Sequence, residues 1–324
     1  MHANQTVRHA VFVATALLFH GTSSAQTYPA KAIRIIAPFS PGASTDIVGR
    51  LLAAKLTESW GQTVIVENRP GAGGIVGATF VAKAPPDGYT LLMGSVGSLG
   101  TIGLRKNPPS DPVKDFAPIT LGVRAASALV VHPSLPVTNV KQLIAFARAR
   151  PGELNYASSG VGSPSHLAME YFNSVAGVKT VHIPFRGPAE ATTELLTGRA
   201  HIIIQSAVST LQHLQSGRIR VLATTGVKRM TELPDVPTMI EAGVAGYDVY
   251  VWYGVLAPAG TPQEIVTRLN HELVRIFNLP DIKAKLLAQG GELATGSPAE
   301  FTEFIRNDVA KWNRVIRAAN IEQE

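Results

Sequence analysis

Short apolar runs of strand length alternate along this 324-residue chain with segments whose apolar residues recur at helical spacing, and that alternation commits it to stacked α/β layers. Residues 33–38 (IRIIAP) read as a first buried strand, 63–66 as a second and 89–93 as a third, closed by Gly94-Ser95. Residues 128–131, 154–157, 180–183, 200–204, 219–223 and 252–257 continue the series. Between the first two strands, residues 46–56 carry Ile47, Val48, Leu51 and Leu52 on one helical face. Later helix starts are signed by Thr138, by Ser163 before Pro164, and by two expected capping boxes, Thr261-Pro262-Gln263-Glu264 and Ser297-Pro298-Ala299-Glu300. The two boxes near the C-terminus predict a helical end packed back on one lobe.

Strand character also runs without a flexible linker through residues 119–131 and again through 249–257. Two such chain crossings suit a hinged protein whose second lobe is inserted into the first. The expected division is 26–126 plus 247–324 for lobe one and 127–246 for lobe two.

The N-terminus reads as a secretory signal peptide, residues 1–25. Arg8 and the free amine give a positive start, residues 10–19 are apolar, and Ser23-Ser24-Ala25 supplies small residues for cleavage after Ala25. That apolar run is about half the ~20 residues a membrane span requires, and no later segment is longer and apolar enough. A soluble, exported protein without membrane insertion is expected, with the periplasm as its compartment. The absence of cysteine excludes disulfides, thiolate metal sites, a cysteine nucleophile and a lipid anchor at a mature N-terminal cysteine. The formal charge of +6 falls to +5 without Arg8, and the basic residues are scattered without interleaved aromatic rings. That pattern gives solvated faces with a mild attraction for anions and disfavours nucleic-acid binding.

The most informative segment joins the first strand to the first helix: Pro38-Phe39-Ser40-Pro41-Gly42-Ala43-Ser44-Thr45-Asp46. Gly42 and Ala43 let a ligand approach the backbone. Ser44 and Thr45 offer hydroxyls and free N–H groups at a helix N-terminus, an anion site that needs no charged side chain. An ordinary N-cap loop is the alternative, with Asp46 serving the first helical turn. A second segment, residues 155–166, has the same build, with Ser158, Ser159, Gly160, Gly162, Ser163 and His166 at a helix start. One such turn in each lobe can grip the two ends of a dicarboxylate, or a carboxylate and a ring, across a cleft. His166 as a capping or packing residue is the alternative to ligand contact.

Familiar catalytic signatures are missing. Residues 68–77 (NRPGAGGIVG) invite a dinucleotide reading, but Val76 stands where the third glycine belongs. No Gly-x-Ser-x-Gly elbow and no Gly-Lys-Ser/Thr triplet occurs. His271-Glu272 starts a zincin-like pattern that fails at Arg275, and the remaining histidines lack metal-ligand spacing. Neither a cofactor nor a metal is expected, and a non-enzymatic role is favoured over a periplasmic hydrolase.

These residues also carry a resemblance. Tyr28-Pro29-Ala30-Lys31, Pro38 to Gly42, Val66 to Gly74 (VENRPGAGG), Ala84 to Leu92 (APPDGYTLL), Pro151 to Gly160 (PGELNYASSG), Leu233 to Thr238 (LPDVPT) and Trp252 to Pro262 (WYGVLAPAGTP) occur in order over the whole mature chain. In these blocks the chain resembles the Bug-type extracytoplasmic solute receptors, the substrate-binding proteins of tripartite tricarboxylate transporters. The resemblance implies a two-lobed periplasmic-binding-protein fold of the type II, flytrap kind, monomeric, with a cleft between the lobes. It implies a small organic carboxylate ligand, held by Phe39, Ser40, Gly42, Ala43, Ser44, Thr45 and Asp46 from lobe one and Ser158, Ser159, Gly160, Gly162, Ser163 and His166 from lobe two. Ser95 and Gln205, at the ends of two strands, join the candidate contacts. The implied partners are the membrane subunits of a tripartite transporter; a membrane sensor kinase reading the closed form is the alternative. Two departures stand out: Ala43 where the family has a second glycine, and Gln205 where many members have aspartate. Because aspartate there suits a ligand ammonium group, Gln205 points to an acid without an amine.

Overall fold

The computed structural model describes residues 28–321 apart from 101, 103, 104, 106, 215, 289 and 320, so the expected signal peptide lies outside the described residues. Strand β1 (Ile33–Ala37) pairs in parallel with β2 (Val64–Asn68) on one side and β3 (Thr90–Ser95) on the other. Parallel strands are covered on both faces by their crossover helices, which is why β3 is buried throughout and β1 everywhere but at Arg34. The first crossover is α1 (Ser44–Trp60), which buries Val48, Leu52 and Leu56; the second contains α2 (Ile75–Ala82). The remaining strands are β4 (Phe116–Val131), β5 (Asn155–Ser158), β6 (Val181–Pro184), β7 (Ile202–Ser206), β8 (Arg220–Thr224), β9 (Tyr250–Pro258) and β10 (Gly291–Leu293). Their order across the sheet is β2-β1-β3-β9-β4-β7-β5-β6, with β8 and β10 attached to β4.

The 16-residue strand β4 joins the two halves of this two-lobed α/β architecture. From Phe116 to Ala126 it pairs antiparallel with β9, and from Ser127 to Val131 it pairs with β7. β9 returns the chain beside it, so two adjacent strands carry the covalent connections between the halves.

Where β4 and β9 part, Thr225 fills the fork. Its hydroxyl accepts from Ser127 N (2.8 Å) and donates to Val249 O (2.7 Å), while its own N–H donates to Ser127 O. Thr225 is fully buried, so both backbone groups depend on it. Thr225→Val keeps the shape and removes the hydroxyl. The expected cost is about 2–4 kcal/mol for two buried backbone groups left unpaired, and Thr225→Ser should recover most of it. Urea unfolding of the three proteins checks this, and a valine variant as stable as the parent would refute it.

The helix starts follow their sequence signals unevenly. Ser163 caps α4 (Pro164–Ala176) through His166 N, and Ser297 with Glu300 forms a complete capping box on α9 (Pro298–Ala318). Two expectations are corrected. Asn139, not Thr138, caps α3 (Val140–Ala149); Thr138 instead bonds the side chain of Gln142. No capping box forms at Thr261, whose hydroxyl donates to Pro258 O, leaving Pro262 as the N-cap of α7 (Gln263–Phe277). Helices α5 (Pro188–Leu196), α6 (Ala207–Leu214) and α8 (Pro280–Leu287) fall in stretches the sequence pattern assigns to no element.

The C-terminal helix does more than pack back on one lobe. Trp252 of β9 and Trp312 of α9 both donate their indole N–H to the buried carboxylate of Asp308. Trp312 also meets Tyr171 of α4 edge-on, with ring centroids 6.3 Å apart, so α9 reaches the half that carries β5 to β7.

Candidate functional site

The β1–α1 turn is shaped by a carboxylate that faces inward. Asp46 is 4% exposed. Its Oδ2 accepts from Gly42 N (2.9 Å) and Arg50 Nε (3.1 Å), and its Oδ1 accepts from Asn68 Nδ2 (3.0 Å). The second hydrogen of the Asn68 amide reaches Phe39 O at 3.0 Å. Burial alone would raise the Asp46 pKa. The hydrogen bonds from Arg50, Gly42 and Asn68 outweigh it and hold the carboxyl below its usual range. Gly42 takes φ +83°, a conformation for glycine, whereas Ala43 sits at φ −68° and ψ 158°, open to any residue. The methyl group at 43 therefore introduces no strain.

The rest of the turn presents donors. Ala43 is the N-cap of α1 and places no side-chain bond on the helix, so the first-turn amides are left for something else. Ser40 and Ser44 are exposed. Thr45 is buried, and its hydroxyl has no partner among the described residues. Phe39 lies against the glycine-rich turn after β2: a Cβ built on Gly74 or Gly97 would come within 3.0 Å or 2.9 Å of its ring. Gly74 thus makes room for an aromatic ring, and Gly71 and Gly73 take positive φ in the same turn. Ser95 is buried and tied to Ser98, whose hydroxyl accepts from Ser95 N and donates to Ser95 O.

Ser44 opens onto a cavity of about 90 Å³ at the place where β4 leaves β9. Buried Val48, Val123 and Leu286 line it, and Ser44, Ser127, Ser206 and Tyr253 contribute hydroxyls. Among the described residues, no charged side chain lines it. Burial raises the Tyr253 pKa against a lowering influence of the Ser44 hydroxyl, so the phenol stays neutral. Sequence reasoning missed Tyr253, Ser127 and Ser206. Strand alternation offered one signal, since Tyr253 pairs with Val123, and Val251 with Ala125, on the cavity face.

The second turn is built around stacked rings. His166 and His182 stack at 3.9 Å with their planes 8° apart, and Tyr156 lies 4.9 Å from His182. Gly162 N donates to His166 Nδ1 at 3.0 Å, so that nitrogen is unprotonated. Burial, with a smaller contribution from His182, pushes the His166 pKa down to about 3; burial pushes His182 down to about 4. Ser158 is fully buried, its hydroxyl 2.6 Å from His182 Nε2. Gly160 N donates to that same hydroxyl. Ser159, Ser163 and Ser165 form a chain of hydroxyls, with Ser165 3.1 Å from Ser159 and 3.0 Å from Ser163. His166 and Val161 face an open groove of about 550 Å³ shared with His182, Glu170 and the end of α9, not the Ser44 cavity.

Gln205 is buried with both ends of its amide engaged. Thr192 Oγ1 donates to Oε1 at 2.8 Å, and Nε2 donates to Thr210 Oγ1 at 3.4 Å. Nearby, His201 Nδ1 accepts from Asn155 N, and Glu190 accepts from Arg186 N just before α5.

Comparison with known proteins places this geometry. A family model described as "Tripartite tricarboxylate transporter family receptor" matches residues 48–321. Protein BugT of Bordetella pertussis is 36% identical over 309 residues, covering 95% of this chain and 94% of its own. Among solved structures, Rpa4515 of R. palustris with adipate superposes with a TM-score of 0.78 at 37% identity, covering 91% of this chain and 99% of its own. MatC from Rhodopseudomonas palustris with bound malate gives 0.77 at 29% identity, covering 89% of this chain and all of its own. The family model over most of the chain and a relative covered almost end to end agree, and the chain belongs to the Bug-type tripartite tricarboxylate transporter receptor family.

Proposed function

We propose that this protein is an exported receptor that binds a small organic carboxylate lacking an ammonium group and presents it to the membrane subunits of a tripartite transporter. One observation carries the reading: the uncapped first turn of α1 meets the neutral hydroxyls of Ser44 and Tyr253 in the wall of a cavity that no charged side chain lines among the described residues. Open amide donors at a helix N-terminus favour an anion. An ammonium group would need a carboxylate partner, and the uncharged Gln205 is already tied to two threonines. The adipate and malate held by the similar proteins support the same class. The lobes are 26–126 plus 247–324 and 127–246, hinged where β4 changes partner, and ligand binding closes them by its greater affinity for the closed state. In the signal-peptide reading, the mature receptor works in the periplasm.

A ligand that binds only the folded form raises its melting temperature, by RT ln(1 + [L]/Kd) in free energy. Thermal-shift screening of aliphatic and aromatic carboxylates should give upward shifts, with none from sugars or peptides. Calorimetry should show plain carboxylates binding more tightly than aspartate or glutamate. Tight binding of either amino acid with no binding of plain carboxylates would sink the proposal.

A further inference from the structure

The strands that join the lobes have two faces, and α9 packs on the one turned away from the candidate site. Along β9, Val251 and Tyr253 line the cavity beside Ser44, while Trp252 between them points the other way and donates its indole N–H to Asp308 of α9 at 2.8 Å. We infer that the contact of α9 with α4 on this far face is a latch that opposes closure of the lobes, so that Trp312 and Tyr171 set the receptor's affinity without touching its ligand. The inference rests on the hinged-receptor reading above and adds affinity-setting residues to it.

Helix α9 is fixed to lobe one. Asp308, 5% exposed, accepts from Trp252 through one oxygen and from Trp312 through the other. Trp312 also lies so close to Gly100, just past β3, that a Cβ there would come within 2.9 Å of its ring, and Phe301 fills the space a Cβ on Gly254 would need. From that seat Trp312 meets Tyr171 edge-on, with ring centroids 6.3 Å apart. Tyr171 belongs to α4 of lobe two, and its hydroxyl donates to Gly246 O at 2.9 Å. It stands two turns into α4, about 10 Å along the helix from the candidate turn that Ser163 caps. A rotation about β4 and β9 that brings the β1–α1 and β5–α4 turns together on the face of the site draws α4 away from α9 on the other. The open form therefore keeps the Trp312–Tyr171 contact and the closed form gives it up.

A carboxylate that binds the closed form has an apparent affinity reduced by the fraction of receptor that is closed, and weakening the latch raises that fraction. Loss of the ring contact should tighten binding about twofold to tenfold, the ~0.5–1.5 kcal/mol of an aromatic pair converted at 1.4 kcal/mol per tenfold.

The test compares the full mature chain with Tyr171→Ala, Tyr171→Leu and Tyr171→Phe. Alanine and leucine remove the ring, and leucine keeps an apolar cover over Tyr247, on which Tyr171 stacks at 5.1 Å. Phenylalanine keeps the ring and loses only the bond to Gly246. Because the chain has no cysteine, spin labels can be attached cleanly through Ala54→Cys in α1 and Thr193→Cys in α5, both exposed positions. The distance between the labels is measured without ligand and with saturating adipate or malate, and calorimetry gives the affinity for the same two acids. The alanine and leucine variants should bind more tightly by the stated factor, and their ligand-free distances should move toward those of the ligand-saturated parent. The phenylalanine variant should match the parent in both. A residue that only supports the fold would weaken binding or leave it unchanged, so the sign of the change identifies the latch. Circular-dichroism melts confirm that the variants are folded, and either of the two loosened variants suffices. Binding no tighter than the parent's, or ligand-free distances equal to the parent's, overturns the latch and leaves the receptor standing. Labels in the parent that do not move when an acid binds overturn the hinge and the latch together. If neither acid binds, the ligand-free distances decide: a shift in the alanine and leucine variants alone supports the latch, and no shift overturns it.

Discussion

Replacing Asp46 by alanine is expected to weaken carboxylate binding by tenfold to a hundredfold and to cost about 2–4 kcal/mol of stability. The sequence placed Asp46 among the ligand contacts, but both of its oxygens are turned into the protein. They hold Gly42 N–H, the guanidinium of Arg50 and the amide of Asn68, and Asn68 in turn holds Phe39 O. Alanine releases all of these, so the turn that offers the α1 donors loses its fixed position. The sign of the effect separates the two roles. A carboxylate side chain beside an anionic ligand repels it, so if Asp46 lay against the ligand, its removal would tighten binding. As a positioning residue, its removal loosens binding, and Asp46→Asn, which keeps acceptors for Gly42 and Arg50, should fall between. Titration calorimetry of the three proteins, with urea unfolding of each without ligand, reads both numbers. Unchanged or tighter binding by the alanine variant would overturn the positioning role.

Asp46 also shows where the sequence stops being informative. An aspartate in a first helical turn reads correctly as a helix-start residue, but its partner Asn68 lies 22 residues away at the end of a different strand. The cavity is more extreme: Ser44, Val123, Tyr253 and Leu286 converge from four elements, and no local pattern links them. What was legible is what is set locally. The buried parallel strands announced themselves because covered strands need apolar residues on both faces, and the caps at Ser163 and Ser297 because their hydroxyls bond amides three residues on. The Thr138 and Thr261 readings failed for a local reason as well. A neighbouring Asn139 competes for the first cap, and at Thr261 the preceding carbonyl of Pro258 captures the hydroxyl. Helix α5 stayed hidden because its sequence, PAEATTELL, buries only Ala191 and Leu195, too narrow a stripe to stand out.

Acid should destabilise this protein well before its surface carboxylates titrate, and the His166–His182 stack is the expected cause. Both rings are neutral in the folded protein, with pKa values down at about 3 and about 4, while in the unfolded chain a histidine titrates near 6.5. Between those limits the unfolded state binds more protons, so stability is complete above pH 6.5 and declines as pH falls toward 4 and then 3. The loss across that window is on the order of 2–4 kcal/mol for the stack as a whole, since His182 is partly exposed and the two rings titrate together. His201, also lowered by burial and by His132, adds in the same direction. Glu170, raised by burial, acts in the opposite sense, because its folded form takes up a proton more readily than the unfolded chain. Protonation also has a local consequence. A proton on His166 Nδ1 would face the Gly162 N–H that now donates to it, so the second turn opens as the ring charges. Melting temperatures measured from pH 7.5 to 4.5 should therefore fall by several degrees in the parent. The fall should shrink in His182→Gln, whose amide can still bond Ser158 but does not titrate. The protection of the Gly162 amide, corrected for the intrinsic slowing of exchange at lower pH, should fall more over the same range than that of β1. A melting temperature independent of pH between 6.5 and 4.5, or an equal fall in the glutamine variant, would remove the stack as the acid-sensitive element.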